Sequence, residues 1–143
     1  MGIDLRIEPG TRLRHKRTTI TVVVILLSQT GVDIAGGGFI SLVDIERDWN
    51  IQPRSGLSAY TTAERILLFE MAAGLARYNV HAALIACEKG DKPGAIAHLR
   101  EALTHTEEAQ VFSASVTPET VSAKLEHPTT MRELHRALAF VGQ

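Results

Sequence analysis

Four side chains with the chemistry of metal ligands recur along one predicted helix, at spacings of three and four residues. They are His98, Glu101, His105 and Glu108. In an α-helix this spacing places them on one face, where imidazole nitrogens and carboxylate oxygens are suitable ligands for Zn²⁺. The face is therefore one candidate site, for a small metal-dependent enzyme or a ligand-binding domain that uses His98, Glu101 and His105.

The same spacing also argues against a metal site. His98 and His105 are two helical turns apart, about 10.5 Å along the axis, so they cannot bind one ion as adjacent ligands. His81 and Glu88 of the preceding helix would complete a site only if they faced inward. A solvated face on which Glu101 pairs with His105 needs no further residue. We therefore predict no catalytic, cofactor-binding or metal site, and the sequence leans away from an enzyme.

Two N-terminal segments have superficial resemblances to ligand-binding motifs. Asp44, Glu46 and Asp48 would form an acidic ladder if extended, and three carboxylates bind Mg²⁺ or Ca²⁺. Their spacing is not that of a calcium loop, and charges on an edge strand also prevent aggregation. The glycines of Gly36-x-Gly38-x-x-Ser41 lack the third small residue and the downstream acidic residue of a dinucleotide-binding fingerprint. Both segments are predicted to be structural.

The charge balance argues against a nucleic-acid-binding protein. The chain of 143 residues has 15 Lys and Arg against 16 Asp and Glu, whereas affinity for a phosphate backbone depends on a basic excess. Residues 1–17 carry a net charge of +3 and residues 18–50 a net charge of −3. We expect these blocks to face one another or to be solvated loops; a short basic arm that touches nucleic acid or an acidic partner is the alternative.

Cys87 is the only cysteine, so no intramolecular disulfide can form, which predicts a reducing, cytoplasmic location. The basic stretch Arg12–Arg17 and the apolar run Ile20–Leu27 together imitate an export signal. The uncharged run from Thr18 to Val32 is 15 residues, shorter than the ~20 residues of a membrane-spanning helix. Its β-branched residues favour a buried strand, so we predict no membrane association.

Residues 1–50 are predicted to form a small antiparallel sheet of about three strands. A half-buried strand is indicated at residues 3–8, before a Pro9-Gly10 turn, and a central strand covered on both faces at Thr18–Ser28. Gly36–Gly38 is a predicted turn. The segment from Phe39 to Asp48 fits a strand or a short helix, and Asn50–Gly56 is a predicted linker.

Residues 57–143 are predicted to be helical. The sequence Thr61-Thr-Ala-Glu64 matches a capping box, and Gly90 suits a left-handed helix end. Between them runs an apolar seam rich in alanine, which allows close approach of a partner helix. The seam consists of Ile66, Phe69, Ala73, Ala76, Val80, Ala83 and Cys87.

Three further helices follow, with predicted starts at Asp91, at Thr117-Pro118 and at a second capping box, Thr130-Met-Arg-Glu133. The last helix would place Met131, Leu134, Leu138 and Val141 on one face. The predicted fold class is thus α+β: a small N-terminal antiparallel β-sheet (1–50) followed by a four-segment antiparallel helical bundle (57–143), in one compact unit.

The helical hairpin from Ala76 to Ala109 resembles a single tetratricopeptide-repeat unit. Small residues of that family fall on Ala83, Ala95 and Ala102, and its turn on Gly90-Asp91. The first helix begins about a dozen residues too early, the closing proline is absent and no second copy follows, whereas such solenoids need about three repeats. The resemblance implies protein binding rather than catalysis.

We therefore predict a non-enzymatic protein-interaction or structural module without a cofactor. The bundle would bind a protein partner or a second copy, most simply in a homodimer. Two features motivate this: the alanine seam exceeds what one short partner helix would cover, and an open Val-rich strand would aggregate.

Overall fold

The computed structural model describes residues 7–143. The half-buried strand predicted at residues 3–8 falls mostly outside them, and Ile7 and Glu8 are not in a strand. An N-terminal sheet and a helical bundle make up the described residues, which confirms the α+β class. The elements are β1 (Arg12–His15), β2 (Thr21–Leu27), β3 (Gly31–Ile34), β4 (Phe39–Ser41), α1 (Leu42–Asp48), β5 (Trp49–Ile51), α2 (Thr62–Glu88), α3 (Lys92–Val111), α4 (Pro118–Leu125) and α5 (Pro128–Val141), with short 3-10 turns at Leu57–Ala59 and Phe112–Ser115.

The sheet has five strands in the order β4-β3-β2-β1-β5, and every described pairing is antiparallel. The prediction of about three strands was too low because it did not include β1, β3 and β5, which have only three or four residues each. β5 begins at Trp49 and so includes the first two residues of the predicted linker Asn50–Gly56. Short edge strands leave few unpaired backbone groups, which limits edge-to-edge association.

β2 is central, as predicted, but it is not covered along its whole length. Leu13 of β1 and Val24 of β2 are fully buried in a core that includes Ile45. Toward the end of β2, Leu26 is 60% exposed and Leu27 is 41% exposed. The prediction of a strand buried on both faces therefore fails at this end, where a bulge interrupts the pairing of β2 with β3 between Val24 and Leu26.

The sequence left open whether residues 39–48 form a strand or a helix, and the structure contains both. Phe39–Ser41 pairs with β3, after which Ser41 caps α1 by accepting a hydrogen bond from the backbone N–H of Asp44. A serine at this position satisfies a backbone donor that a helix start leaves unpaired. The short helix then packs Ile45 into the sheet core.

α2 and α3 form a tight antiparallel hairpin. The capping box at Thr61 and Glu64 is confirmed, as is the left-handed Gly90, which has φ 73°. Asp91 caps α3 as predicted. The predicted seam of α2 is buried against α3 from Phe69 to Ala83, and α3 contributes small buried residues in return: Ala95, Ala102 and Ala109. Alanine on both helices permits this close contact without a partner chain.

α5 runs parallel to α2 and antiparallel to α3. His81 of α2 contacts Glu133 near the start of α5, and Lys92 at the start of α3 donates to the backbone oxygen of Gln143 at the other end. The predicted capping box at Thr130 is wrong. His127 caps α5 and Pro128 occupies its first turn, so Thr130 lies inside the helix and is buried. Proline fixes a helical φ and needs no N–H partner at this position.

The sheet and the bundle are joined by polar contacts. The backbone N–H of Gly36 donates to the Glu107 carboxylate of α3 over 3.0 Å, and Ser58 donates through its backbone and hydroxyl to the Glu8 carboxylate. No helix among residues 7–143 has the length and apolar character needed to cross a membrane.

Candidate functional site

The predicted polar row on α3 is divided between two different neighbours. His98 faces α2, where its Nδ1 lies 3.1 Å from Oδ1 of the buried Asn79. His105 lies farther along, with its Nε2 3.6 Å from Glu101 and its Nδ1 3.8 Å from Glu108. His98 is therefore engaged in a contact between helices rather than available with the other two.

Within residues 7–143 no group of three or more His, Cys, Asp or Glu side chains is arranged to hold a metal ion. His81, considered as a further ligand, instead places its Nδ1 2.6 Å from Glu133 Oε2, on the other side of α2. The metal site considered for His98, Glu101 and His105 from the sequence is therefore not assembled among the described residues.

Among the described carboxyl groups, Glu108 is the one whose pKa is raised by burial. Its side chain is mostly buried, and burial raises the pKa of the group, because an apolar environment disfavours the charged carboxylate. The nearby side chains of His105 and Arg12 oppose that rise. The Nδ1 atom of His105 is itself buried without a hydrogen-bond partner among the described residues. Neither His105 nor Glu108 lines the two cavities between α2 and α5.

The acidic ladder predicted for an extended segment does not form, because Asp44, Glu46 and Asp48 lie on or at the end of α1. Arg47 donates to both Asp44 and Asp48, and its hydrogen bond holds the pKa of Asp48 below the usual value. Lys16 also donates to the backbone oxygen of Glu46 over 3.1 Å. The oppositely charged N-terminal blocks therefore face one another at this point.

Cys87 is half-buried at the end of the α2 seam, with its Sγ 4.0 Å from the backbone oxygen of Ala137. Burial raises the pKa of the thiol, which keeps it protonated and unreactive. This position fits a packing role.

A second apolar stripe runs along α2, on the side opposite the alanine seam. Its large members are between 38% and 66% exposed: Leu67, Met71, Leu75, Tyr78 and Ile85. Apolar residues on both sides of a helix are typical of one that is covered on both sides. Among residues 7–143 only the seam side is covered. The stripe spans about 27 Å from Leu67 to Ile85, and exposed apolar patches of this kind mark interaction sites.

The exposed stripe is nearly symmetric about Ala76. Leu67 and Ile85 lie nine positions to either side of that residue. Met71 matches Ala82 and Leu75 matches Tyr78 about nearly the same centre. Near the middle, Gly74 has only open space beside its Cα, so another backbone can approach closely there. A surface with this pattern is complementary to itself when two copies are antiparallel.

An apolar groove of about 470 Å³ lies between α2, α3, α4 and α5. Its walls include the predicted apolar face of α5 and the Ile96–Leu99–Leu103 side of α3. Leu103 and Leu138 are each 48% exposed at its mouth. Of the described residues, three with cationic side chains and none with an acidic side chain line the groove: Arg77, Arg100 and Lys124.

Neither the stripe nor the groove was predicted from the sequence. The spacing of Leu67, Met71, Leu75 and Tyr78 does indicate an apolar face. However, the alanine seam has the same spacing on the opposite face of α2, and only the seam was predicted to be an interface. The groove requires four helices from separate parts of the chain. The amphipathic face of α5 was predicted, but nothing local indicates that α3 leaves it partly uncovered.

Comparison of the chain with family models, with curated proteins and with solved structures finds no match.

Proposed function

We propose that this protein is an interaction module that forms a homodimer through the outer face of α2. The carrying observation is the stripe from Leu67 to Ile85, whose large apolar side chains remain exposed although the opposite face of the same helix is fully packed. Burying such side chains against a second copy removes apolar surface from water, which is the main driving force of association.

The symmetry of the stripe favours a second copy over an unrelated protein. In a two-fold dimer the same patch serves both subunits, so every contact between residue i of one copy and residue j of the other occurs twice. An antiparallel pair centred near Ala76 sets Leu67 against Ile85 of the second copy, and Leu75 against Tyr78. Tyrosine is enriched among the residues that dominate binding energy at interfaces.

The sequence suggested self-association through the alanine seam and the Val-rich strand, but both are covered within the chain. The alanine seam is covered by α3 of the same chain, and the Val-rich strand β2 has a partner strand on each side. The resemblance of the α2–α3 hairpin to a tetratricopeptide-repeat unit supports a protein-binding role. The half-buried free thiol of Cys87 suits a reducing, cytoplasmic setting.

Light scattering and sedimentation velocity at high micromolar concentration test the proposal, with a dimer as the expected species. The double substitution Met71→Glu and Tyr78→Glu should give a monomer, since it places two charges in the interface of each copy. Ala139→Glu, at an exposed position on α5, is the matched control and should leave the dimer intact. Circular dichroism verifies that each variant is folded. A monomeric wild type, or a double variant that remains dimeric, would overturn the proposal.

A further inference from the structure

We propose that the groove between α2, α3, α4 and α5 binds a long-chain fatty acid, with its carboxylate at the α4 end. The volume of about 470 Å³ is within the range of small-molecule sites, which are concave and mostly apolar with a few polar groups that orient the ligand. The proposal is independent of the homodimer, because the groove and the exposed stripe of α2 share no large side chain.

The walls of the groove favour an aliphatic ligand. Leucine, isoleucine, valine and methionine provide nearly all of the apolar lining, and no aromatic residue takes part. Along α5 the lining extends from Met131 to Val141, about 15 Å at the helical rise. That length matches an extended chain of roughly a dozen carbons, given C–C bonds near 1.5 Å.

The charges of the lining favour an anionic head group. Arg77, Arg100 and Lys124 all line the groove, and none of them forms an ion pair with a carboxylate among residues 7–143. Cationic side chains that line an apolar groove attract an anion, and arginine can bind a carboxylate through two parallel hydrogen bonds.

The cations also give the groove a direction. Lys124 is at the end of α4, and Arg77 lies beside Thr130 and Glu133 in a smaller adjoining cavity at the start of α5. The opposite end is formed by Ile96 near the start of α3 and by Leu138 and Val141 near the end of α5, and it has no charged lining residue. A polar end and an apolar end in one channel match the two ends of a fatty acid.

Isothermal titration calorimetry with dodecanoate below its micellar concentration tests this inference. Dodecanoate should bind with one site per chain. Dodecanol should bind at least about tenfold more weakly, because it has no charge to pair with the cations, and dodecyltrimethylammonium should bind more weakly still. Equal binding of all three probes would overturn the assigned head-group chemistry. Absence of binding by all three would overturn the site as a whole.

Two pairs of variants locate the site. Arg100→Gln should weaken dodecanoate binding roughly tenfold, whereas Arg136→Gln, at an exposed position of α5 outside the groove, should not change it. Leu103→Trp should fill the mouth of the groove and abolish binding, whereas Val43→Trp, at an exposed position of α1 outside both the groove and the stripe, should not. All four side chains are exposed, so the variants should fold, as circular dichroism can verify. Unchanged affinity in Arg100→Gln or Leu103→Trp would contradict the proposed site.

Discussion

The side chain of His98 reaches across the α2–α3 interface to Asn79, with 3.1 Å between Nδ1 of the imidazole and Oδ1 of the amide. Asn79 is buried, and its amide nitrogen donates to the backbone oxygen of Leu75 over 2.9 Å. An amide oxygen only accepts, so His98 donates through Nδ1. This contact makes His98 a part of the hairpin rather than a free ligand.

His98→Ala should therefore lower the free energy of unfolding by about 1–2 kcal/mol, because it leaves the buried Asn79 oxygen without a donor. Urea denaturation measures this change. His135→Ala, at an exposed position on α5, is the control and should be nearly neutral. If His98 instead served a metal, its loss would lower the metal content of the purified protein while stability in the presence of a chelator stayed the same.

Glu108 should make the stability depend on pH. Burial raises the pKa of Glu108 in the folded chain above its value in the unfolded chain. At pH values between these two pKa values, Glu108 is therefore protonated more often in the folded state than in the unfolded state. The contribution of this group to stability must then fall as pH rises through its folded pKa, as the buried carboxyl group becomes charged. Glu108→Gln should be more stable than the wild type at neutral pH, and the difference should shrink as pH is lowered toward the ordinary range of glutamate.

Denaturation midpoints of the wild type and Glu108→Gln across mildly acidic to neutral pH measure this difference. Glu119→Gln, at an exposed position of α4, is the matched control. A difference that grows on acidification would mean that attraction to His105 and Arg12 outweighs the cost of burial, contrary to the expected sign.

The helix starts were predictable where the signal is local. Thr61 and Asp91 cap their helices with their own side chains, a few residues from the groups that they bind. At α5 two local signals competed, and His127-Pro128 prevailed over Thr130 because proline suits the first turn of a helix. β5 was missed because its pairing partner β1 lies more than thirty residues earlier, where no short-range pattern can indicate it.

The candidate surfaces were less predictable than the fold. The spacing of apolar residues shows that α2 has two apolar faces, but it does not show which of them the rest of the chain covers. That outcome depends on α3. Its Ala95 and Ala102 pack against the alanine seam, so Leu67 and Tyr78 on the opposite side of α2 remain exposed. Coverage of a face is a long-range property of the fold.

The close contact of α2 with α3 should not tolerate larger side chains. Ala95 is fully buried in the hairpin opposite the seam, so Ala95→Leu should force the helices apart and lower the free energy of unfolding by about 1–3 kcal/mol. Ala97→Leu, at an exposed position of the same helix, should be nearly neutral by urea denaturation. Equal stability of the two variants would show that the seam is loosely packed.

A substitution at Gly74 should have opposite effects on the stability of the folded chain and on the stability of the dimer. A side chain at this position meets nothing within the chain, and glycine inside a helix costs about 0.5–1 kcal/mol relative to alanine. In the monomeric Met71→Glu/Tyr78→Glu background, Gly74→Lys should therefore raise the free energy of unfolding, since lysine is a good helix former. In the wild-type background the same change should weaken the dimer, because it puts a charge where two backbones approach.

Urea denaturation of the monomeric background should therefore show a gain in stability, whereas sedimentation velocity of the wild-type background should show a weaker dimer. Ala97→Lys is the control and should leave the dimer unchanged. If Gly74→Lys left the dimer as strong as before, the centre of the stripe would not be the contact between copies.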